Sequence, residues 1–220
     1  MSSHHIVRDD QEPALIIANG EMCKIELLNQ LLEWNPLVIA LDSAIDRVLS
    51  LGIKVDVLIG DFDRNFDYEK YKSAQFPIEI IPIKDQNSTD LEKAFLYLID
   101  RKIPMANVVW ATGKRMDHTL HNITCLPKYE EQLKIVIFDD YSRIHLLPKS
   151  YKKWYPKDTI LSLMPIGKVD GITSNNLVYE LNNESLELGK RAGNSNAVAN
   201  DGIVTITFEN GHLLLIECWD

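Results

Sequence analysis

The chain lacks several features that would place it in a class at once. It has only three cysteines, Cys23, Cys125 and Cys218, and their scattered positions fit neither a disulfide framework nor a zinc-ligand spacing. No apolar stretch approaches the ~20 residues that a membrane helix needs. Residues 1–5 lack the apolar core of a signal peptide. These absences predict a cytoplasmic protein with reduced thiols and no membrane partner.

Common nucleotide-binding motifs are also missing. The G-x-x-x-x-G-K-[ST] spacing of a Walker A loop and the G-x-G-x-x-G of a dinucleotide fold are both absent. A formal net charge of -9 argues against a broad basic surface, so no nucleic-acid partner is expected. A phosphate ligand remains compatible with this charge, because a bound cation can supply positive charge locally.

Hydrophobic patterning divides the chain into two regions, and the first covers residues 1–138. There, short apolar runs typical of buried strands alternate with helical patterns. This alternation predicts an α/β domain with a mostly parallel sheet covered on both faces. The predicted strands are residues 14–18, 37–41, 55–59, 78–83, 107–110 and 134–138, and the predicted helices are residues 22–33, 43–51, 90–101 and 117–125.

Helical patterns stop in the second region, residues 139–220. Strand patterns there cover residues 143–147, 159–164, 177–181, 203–208 and 213–218. Asn210-Gly211 lies between the last two and is typical of a tight β-hairpin turn. The sequence therefore predicts a C-terminal antiparallel β-sandwich or barrel.

Carboxylates collect near the ends of the predicted parallel strands, in the segments Leu41–Ser43, Gly60–Asp63, Asp85–Asp90 and Gly113–His118. Because the carboxyl ends of parallel strands meet at one edge of a sheet, we expect these acids to lie there together. Crowded anions repel one another unless a proton or a cation bridges them. The pattern predicts a divalent metal that handles phosphate. Asp42 either caps the helix that follows it or contacts the ligand.

Asp61 and Asp63 form the most specific of these groups. In an extended segment, residues two apart face the same side, and Gly60 before them leaves room for a ligand to approach. Mg²⁺ is usually held by one or two carboxylates together with phosphate oxygens and water. An acidic turn after a strand has the same local pattern, so the metal interpretation depends on the neighbouring groups.

The segment Asn87–Ala94 has the pattern of a helix N-terminus. Thr89 and Glu92 have the spacing of a capping box, and capping accounts for most of the pattern. Free N–H groups at a helix start also hold phosphate. In that interpretation Asp90 is a further metal ligand and Lys93 reaches phosphate oxygens. The residues leave both interpretations open.

A further group begins at Gly113, which permits a tight turn. Lys114 and Arg115 follow it and offer hydrogen-bond donors to a polyphosphate. His118 and His121 lie three apart on the predicted helix. Without a cysteine partner or an HExxH pattern, these histidines predict a structural role rather than a zinc site.

In order and spacing, these groups resemble the motifs of the thiamine pyrophosphokinase family. The motifs A-D-G-G, G-D-F-D-S, D-Q-x-x-T-D-x-x-K-A, G-G-R-x-D-H-x-x-x-N and S-T-S-N correspond here to Leu41–Ala44, Gly60–Arg64, Asp85–Ala94, Gly113–Asn122 and Gly193–Asn196. The match covers nearly the whole chain, and the second, third and fourth motifs together are highly specific.

The resemblance implies an α/β catalytic domain, a β-sandwich that binds thiamine, and a homodimer with active sites between subunits. It implies pyrophosphoryl transfer from ATP to the hydroxyl of thiamine, giving thiamine diphosphate and AMP, with Mg²⁺ as cofactor. The residues that it assigns to Mg²⁺ and catalysis are Asp61, Asp63 and Asp90, with Arg115 and Asp117. The residues that the resemblance assigns to the nucleotide site are Asp42, Gln86, Thr89, Lys93, His118 and Asn122. The charge of Lys114 adds this residue to the same site. The residues assigned to the vitamin pocket are Tyr179, Ser195 and Asn196.

Five departures from the family motifs bear on the acceptor. Ser43-Ala44 replaces Gly-Gly, Arg64 replaces Ser, Lys114 replaces Gly, Tyr179 stands where the family has Trp, and the S-T-S-N motif keeps only its last two residues, Ser195 and Asn196. The alternatives are a Mg²⁺-dependent pyrophosphokinase or phosphohydrolase for another small alcohol or phosphate, and a silent sensor of nucleotide or vitamin. Asp117 and Asp42 are both candidates for the group that takes the alcohol proton.

Overall fold

The computed structural model describes residues 13–62 and 66–219. The chain forms two compact units. The first contains the residues up to Trp110 together with Glu131–Lys134, and the second contains Ala111–Glu130 and the chain from Ile135 onward. Asp63 and Arg64 lie outside the described residues. The predicted domain boundary after residue 138 stays a prediction.

A parallel sheet forms the centre of the first unit. Its strands are β1 (Ala14–Ile17), β2 (Val38–Leu41), β3 (Val57–Gly60), β4 (Glu79–Pro82) and β5 (Met105–Val109). They lie side by side in the order β4-β3-β2-β1-β5, and every pair among them is parallel. All residues of β1, β2 and β3 are buried, as expected for a sheet covered on both faces. The predicted parallel sheet is confirmed.

Helices connect these strands and shield the sheet. They are α1 (Ile25–Leu32), α2 (Ile45–Ser50), α3 (Tyr68–Ala74) and α4 (Asp90–Asp100). In α4 the residues Leu91, Ala94, Phe95 and Leu98 recur at helical spacing and are buried, and the helix packs against β1, β2 and β3. The hydrophobic pattern missed α3, because this seven-residue helix buries only Tyr71.

The second unit begins with α5 (Met116–Thr124) and continues as antiparallel strands. The strands are β6 (Lys134–Phe138), β7 (Ser142–Leu146), β8 (Ser150–Tyr155), β9 (Ile160–Asn175), β10 (Glu184–Glu187), β11 (Gly193–Ala197), β12 (Gly202–Thr207) and β13 (Asn210–Cys218). Among the described residues, no helix in either unit is long and apolar enough to cross a membrane.

The long strand β9 pairs with β10, β11, β12 and β13 of the second unit. Residues Ile160–Pro165 of β9 pair with β13, and residues Thr173–Asn175 pair with β12. β10 and β11 also pair with β9. Leu163 on β9, Val204 on β12 and Leu215 on β13 belong to one buried cluster. The predicted C-terminal antiparallel sandwich is confirmed.

The predicted hairpin at Asn210-Gly211 is wrong. β12 lies between β8 and β9, whereas β13 lies between β7 and β9, so the connection does not join paired neighbours. Gly211 serves a different purpose, because a Cβ at this position would lie 2.2 Å from the carbonyl oxygen of Lys168. Its glycine therefore permits close approach of two backbones rather than a two-residue turn.

The predicted strand over residues 177–181 is also wrong. Leu177 forms only an isolated bridge with Val198. Further along, the backbone N–H of Tyr179 donates to the side chain of Asn196, and that of Leu181 donates to Ser174 Oγ. Side chains thus satisfy the backbone groups that a neighbouring strand would otherwise pair.

Candidate functional site

The ends of β2 and β3 bring two predicted acids to the same edge of the sheet. These neighbouring strands end at Leu41 and Gly60, so Asp42 and Asp61 each follow a strand directly. The Asp42 side chain lies across Gly60: a Cβ there would be 2.3 Å from Asp42 Cβ and 3.2 Å from a carboxylate oxygen. Only glycine therefore fits at position 60, which lies against Asp42 and directly precedes the exposed Asp61.

Asp42 does not cap α2, which was one of the two interpretations of its position. A 3₁₀ turn over Asp42–Ala44 precedes the helix, and Ala44 occupies the N-cap position without a side-chain capping bond. The side chain of Asp42 is instead directed to Gly60 at the end of β3. The interpretation in which Asp42 contacts a ligand stays a prediction.

Aromatic rings flank the segment that contains Asp63. Phe62 is buried and has a φ of 32°, which is uncommon for a bulky residue and marks local strain. Its ring lies 4.3 Å from that of Phe66, which stacks on Tyr71 at 4.8 Å. Packing therefore fixes the chain on both sides of residues 63–65. Asp63 itself lies outside the described residues, so its role as a metal ligand stays a prediction.

The start of α4 forms the predicted capping box. The Glu92 backbone N–H donates to Thr89 Oγ1 at 3.3 Å, and the Thr89 N–H donates to Glu92 Oε2 at 3.1 Å. Beside this box, the Lys93 ammonium donates to Asp90 Oδ1 at 2.9 Å. The Lys93 side chain is only 4% exposed, so its contact in this structure is the carboxylate of Asp90. Lys93 orients Asp90 and compensates its charge.

Asp85 shapes the loop that carries Gln86. One carboxylate oxygen accepts from the Asn87 N–H at 2.9 Å, and the other accepts from Ser88 Oγ at 2.5 Å. The Ser88 bond, followed by the Asn87 backbone bond, lowers the pKa of Asp85. Gln86 itself is exposed at the tip of this loop. Asp85 therefore acts on the loop conformation, whereas Gln86 is available to a ligand.

In the second unit, Arg115 and Asp117 form a two-bond pair before and at the start of α5. Arg115 Nε donates to Asp117 Oδ1 at 3.1 Å, and the Arg115 Nη2 group donates to the other oxygen. This contact is the main reason that the pKa of Asp117 falls to about 2. Such a carboxylate is a weak base. The geometry therefore disfavours Asp117 as the acceptor of the alcohol proton and assigns it to holding Arg115.

α5 fixes the loop before it through two side chains. Buried Asn122 donates from Nδ2 to the carbonyl of Ala111 at 2.8 Å, and Thr119 Oγ1 donates to the carbonyl of Gly113 at 3.2 Å. His118 is exposed, and its backbone N–H donates to Asp117 Oδ1 at 3.0 Å. Asn122 is thus placed to hold the loop that carries Lys114 and Arg115, rather than to face a ligand.

The predicted vitamin-binding residues come together on the sandwich. The Tyr179 N–H donates to Asn196 Oδ1 at 3.0 Å, and Asn196 Nδ2 donates to the Tyr179 carbonyl at 2.7 Å. Asn196 is buried, whereas the Tyr179 side chain is 71% exposed. Ser195 is exposed with a φ of 53°, and its N–H donates to Ser162 Oγ at 2.9 Å. Asn196 therefore positions Tyr179, whose ring faces solvent.

A cluster at the ends of β1 and β5 was not predicted. Arg47 stacks over the ring of Trp110, 4.8 Å from its centroid, and hydrogen-bonds to Asn19 and Gly20. No sequence motif marks these residues. Their positions gave the available signal, because Asn19 follows one predicted strand, Trp110 ends another, and Arg47 lies on the predicted helix after Asp42.

The predicted metal ligands are only partly described. Among residues 13–62 and 66–219, no group of three or more His, Cys, Asp or Glu is arranged to hold a metal ion. Asp63, one of the three predicted ligands, lies outside these ranges. Asp61 and Asp90 both lie in the first unit, directly after β3 and at the first residue of α4.

Comparison with known proteins identifies the family. The model of the thiamin pyrophosphokinase catalytic domain matches residues 28–137, which is half of the chain. The chain belongs to the thiamin pyrophosphokinase family. The model of the family's vitamin B1 binding domain matches residues 144–213, so both parts of this family occur in the expected order. The resemblance seen in the sequence is confirmed.

Individual relatives agree with this assignment. A thiamine pyrophosphokinase of Bacillus subtilis is 26% identical over 215 residues, covering 93% of this chain and 98% of that protein. Thiamin pyrophosphokinase 1 of Caenorhabditis elegans is 26% identical over 210 residues, covering 88% of this chain and 84% of its own length. This identity indicates a divergent member of the family.

Solved structures of the family share the fold. The Bacillus subtilis enzyme superposes with a TM-score of 0.80 at 24% identity, covering 94% of this chain and 99% of the other. Yeast thiamin pyrophosphokinase gives a TM-score of 0.82 at 18% identity, with 96% and 88% coverage. At this identity the likeness supports the fold, and the activity is argued from the family motifs and the site.

Proposed function

We propose that this chain is a thiamine pyrophosphokinase that transfers the pyrophosphoryl group of ATP to the hydroxyl of thiamine. The observation that carries this proposal is the succession of a catalytic and a vitamin-B1-binding family domain along one chain. The acids Asp61 and Asp90 of the catalytic motifs are retained. A transferase has to bind both of its substrates, and the two domains would bind ATP and thiamine respectively.

In this reaction the alcohol oxygen of thiamine bonds to the β-phosphorus of ATP. The bond from that phosphorus to the oxygen bridging it to the α-phosphorus breaks, so AMP leaves, and the alcohol loses its proton. Such transfers depend mainly on positioning and on neutralising phosphate charge. The residues of this site therefore act chiefly by binding and orientation.

Mg²⁺ is the proposed cofactor, with Asp61, Asp63 and Asp90 as its ligands. The donors fit a hard divalent cation, because carboxylate oxygens are ligands that Mg²⁺ accepts. The close packing at Gly60 supports this fit, since a Cβ at that position would lie 2.3 Å from Asp42 Cβ and would displace the Asp42 carboxylate from this edge of the sheet. When bound, Mg²⁺ would neutralise phosphate charge. Lys93 would keep the Asp90 carboxylate oriented toward it.

Some of the remaining predicted residues of the nucleotide site would contact the nucleotide, and others would position neighbouring residues. Lys114 and Arg115 are exposed donors on a loop, and their charge suits phosphate oxygens. Gln86 and His118 are exposed polar groups that suit the rest of the nucleotide. Thr89 holds the start of α4, where backbone N–H groups favour an anion.

On the sandwich, we propose that the exposed ring of Tyr179 stacks on thiamine. Aromatic faces attract cationic and aromatic ligands, and a Tyr face performs this role as a Trp face does. The two hydrogen bonds between the Asn196 amide and the Tyr179 backbone fix the point from which the ring of Tyr179 extends. Exposed Ser195 offers a hydroxyl to the same ligand.

The assembly and location are proposals of the same kind. By resemblance to the family, we propose a homodimer with active sites between subunits. A cytoplasmic location is supported by the cysteines, since Cys23, Cys125 and Cys218 are all thiols rather than disulfides.

The decisive experiment incubates the purified protein with thiamine, ATP and Mg²⁺ and identifies the products by mass spectrometry. Thiamine diphosphate and AMP in equal amounts are expected, and omission of thiamine should stop AMP formation. Free phosphate without thiamine diphosphate would indicate a hydrolase. Binding of both substrates without turnover would indicate a sensor, and either result would overturn the proposal.

The substitution at Tyr179 favours one second candidate, a pyrophosphokinase for another small alcohol. The same assay should therefore include other hydroxyethyl compounds at equal concentration. A kcat/KM for thiamine that exceeds those of the other alcohols would support thiamine as the acceptor.

A further inference from the structure

The strand order of the first unit contains a topological switch point between β1 and β5. The chain runs outward from β1 through β2 and β3 to β4, and then returns to place β5 on the other side of β1. In open parallel sheets, ligands bind beyond the carboxyl ends of the strands at such a point. Of the predicted acids in the first unit, Asp42 follows β2, Asp61 follows β3 and Asp90 follows β4, so none of these three lies between β1 and β5.

An arginine and a tryptophan occupy that switch point. The Gly20 N–H donates to the Trp110 carbonyl at 2.5 Å, which continues the pairing of β1 with β5 beyond the strand ends. Arg47 Nη1 donates to the Gly20 carbonyl at 3.1 Å, and Arg47 Nη2 donates to Asn19 Oδ1 at 2.5 Å. The guanidinium carbon lies 4.8 Å from the centroid of the Trp110 ring. Arg47 is therefore held over an aromatic ring, at the end of two strands.

The charge of Arg47 is not matched by any of these contacts. Both acceptors, a backbone carbonyl and a side-chain amide, are neutral. Among the described residues, Arg47 forms no ion pair. Burial lowers its pKa, while the charge of exposed Glu21 raises it, and an arginine remains charged in either case. A partly buried cation with neutral partners suits an anionic ligand.

Two donors in this cluster lack acceptors. Within the described part of the chain, neither Arg47 Nε nor the Trp110 indole Nε1 has a hydrogen-bond partner, and both atoms are buried. Buried polar groups are nearly always satisfied, so two in one stacked pair call for an explanation. Trp110 also has a φ of 57°, a strained conformation for a bulky residue. Strain of this kind concentrates at functional sites.

We propose that Arg47 binds the phosphate chain of the nucleoside triphosphate at the β1/β5 switch point; this inference rests on the proposed pyrophosphokinase function. A guanidinium has five N–H donors, and two of its groups here contact neutral acceptors. Arg47 is partly exposed, and the hydrogen bond from its Nη2 to Asn19 lies at the surface, where a phosphate can approach. Binding of the anion gives the charge a counterion. Trp110 then acts as the surface that keeps the guanidinium in place.

The first test measures binding of inorganic triphosphate by calorimetry in the presence of Mg²⁺, with no thiamine present. Arg47→Met keeps an unbranched apolar chain against Trp110 and removes the charge. Loss of charge-assisted hydrogen bonds predicts a Kd that rises by about 10- to 100-fold. Arg47→Lys keeps the charge without the planar fork and should bind with an intermediate Kd. A Kd unchanged in Arg47→Met would overturn the inference.

The first unit provides a matched control in Arg101. This arginine also stacks on an aromatic ring, 4.7 Å from the centroid of Tyr97, but it forms an ion pair with Glu79 at 2.8 Å. Its charge is therefore already matched. Arg101→Met should leave triphosphate binding unchanged. Equal weakening in Arg101→Met and Arg47→Met would show a general charge effect and overturn the inference.

A second measurement on the unsubstituted protein covers the case in which Arg47→Met does not fold. The chain has four tryptophans, so it gives four indole N–H resonances in a ¹H–¹⁵N spectrum. Replacing the exposed Trp34, Trp154 and Trp219 by Phe one at a time assigns the Trp110 signal by elimination. Titration with triphosphate should shift that signal. A Trp110 signal that stays fixed while triphosphate binds would overturn the inference.

Failure of the inference and failure of the proposed function give different results. Normal thiamine diphosphate formation and normal triphosphate binding in Arg47→Met would refute the role of Arg47 and leave the function intact. Absence of thiamine turnover in the unsubstituted protein, with triphosphate binding that depends on Arg47, would refute the function and leave the phosphate site intact.

Discussion

The side-chain amide of Asn196 binds the backbone of Tyr179 on both sides, accepting from its N–H at 3.0 Å and donating to its carbonyl at 2.7 Å. The amide thereby replaces the two bonds that a paired strand would supply. It also accepts from the Ala197 N–H at 2.9 Å, so a single buried side chain on β11 links its own strand to the segment of Tyr179. The exposed ring of Tyr179 consequently extends from a fixed backbone.

Asn196→Ala should raise the KM for thiamine by about 10-fold with a smaller change in kcat, because Tyr179 loses its fixed position. Loss of these buried hydrogen bonds should also lower the free energy of unfolding by about 1–3 kcal/mol. Steady-state kinetics and urea unfolding would measure both. Asp201→Ala is the control, since it removes a side-chain bond to the Lys157 N–H in the same unit. It should leave KM unchanged, and equal effects on KM would contradict the assigned role of Asn196.

Asp61→Asn should lower kcat by about 100-fold or more, because an amide is a poor Mg²⁺ ligand compared with a carboxylate. Asp61 is exposed after β3, so the thermal midpoint should stay within a few degrees of the parent value. Asp100→Asn is the matched control, an exposed aspartate at the opposite end of α4 from Asp90. Near-normal turnover in Asp61→Asn would refute its assignment as a metal ligand.

Lys93→Met should destabilise the fold, because it leaves the Asp90 carboxylate without its buried partner. The Lys93 and Asp90 side chains are 4% and 28% exposed, which favours a loss of about 1–3 kcal/mol after allowance for solvent at Asp90. Lys72→Met breaks a similarly spaced pair with Glu69 on the surface, at 54% and 84% exposure. It should cost less than about 0.5 kcal/mol.

Urea unfolding of both lysine variants, with Asp90→Asn and the double variant, would complete this comparison. If Lys93 acts through Asp90, the effects of Lys93→Met and Asp90→Asn should be strongly non-additive. Fully additive losses of stability would contradict the pairing.

Arg115→Gln should raise the pKa of Asp117 from about 2 toward its ordinary value of 3.8, because the two-bond contact is the main cause of the depression. The pKa is lowered in the folded state, so the stability contributed by the pair is complete above pH 3.8 and is lost as the pH falls toward 2. A carboxyl ¹³C titration of Asp117 would measure the shift. Arg191→Gln, which breaks an exposed pair with Glu184, should leave the pKa of Asp117 unchanged.

Some of the fold followed directly from the sequence. The uninterrupted apolar runs of β1, β2 and β3 required burial on both faces, and this predicts a parallel sheet. The pairing of β12 was not predictable, because a local Asn-Gly signal does not reveal which distant strand will lie alongside. The apolar pattern at Tyr179 predicted a strand, but the backbone N–H groups of Tyr179 and Leu181 donate to the side chains of Asn196 and Ser174 instead of to a neighbouring strand.

Some features of the candidate site were likewise predictable from the sequence, and others were not. The positions of Asp42, Asp61 and Asp90 follow from strand ends and helix starts, which local sequence specifies. Two contacts became evident only in the structure, those of Lys93 with Asp90 and of Asn122 with the Ala111 carbonyl. Both depend on the direction of a buried side chain. Arg47 lies 63 positions from Trp110 along the chain, and no spacing rule connects them.

By itself, the sequence determined the buried parallel strands and the acids that follow them, because hydrophobic period and motif spacing are local properties of the chain; it did not determine α3 or the backbone at residues 177–181. Tertiary structure decided which polar groups act on a ligand and which hold their neighbours. Asp117 holds Arg115, which stays exposed, and Lys93 is matched by Asp90. Arg47 at the switch point keeps a charge that its neutral partners leave unmatched. That distinction depends on burial and on the nearest opposite charge, which exist only once distant segments have packed together.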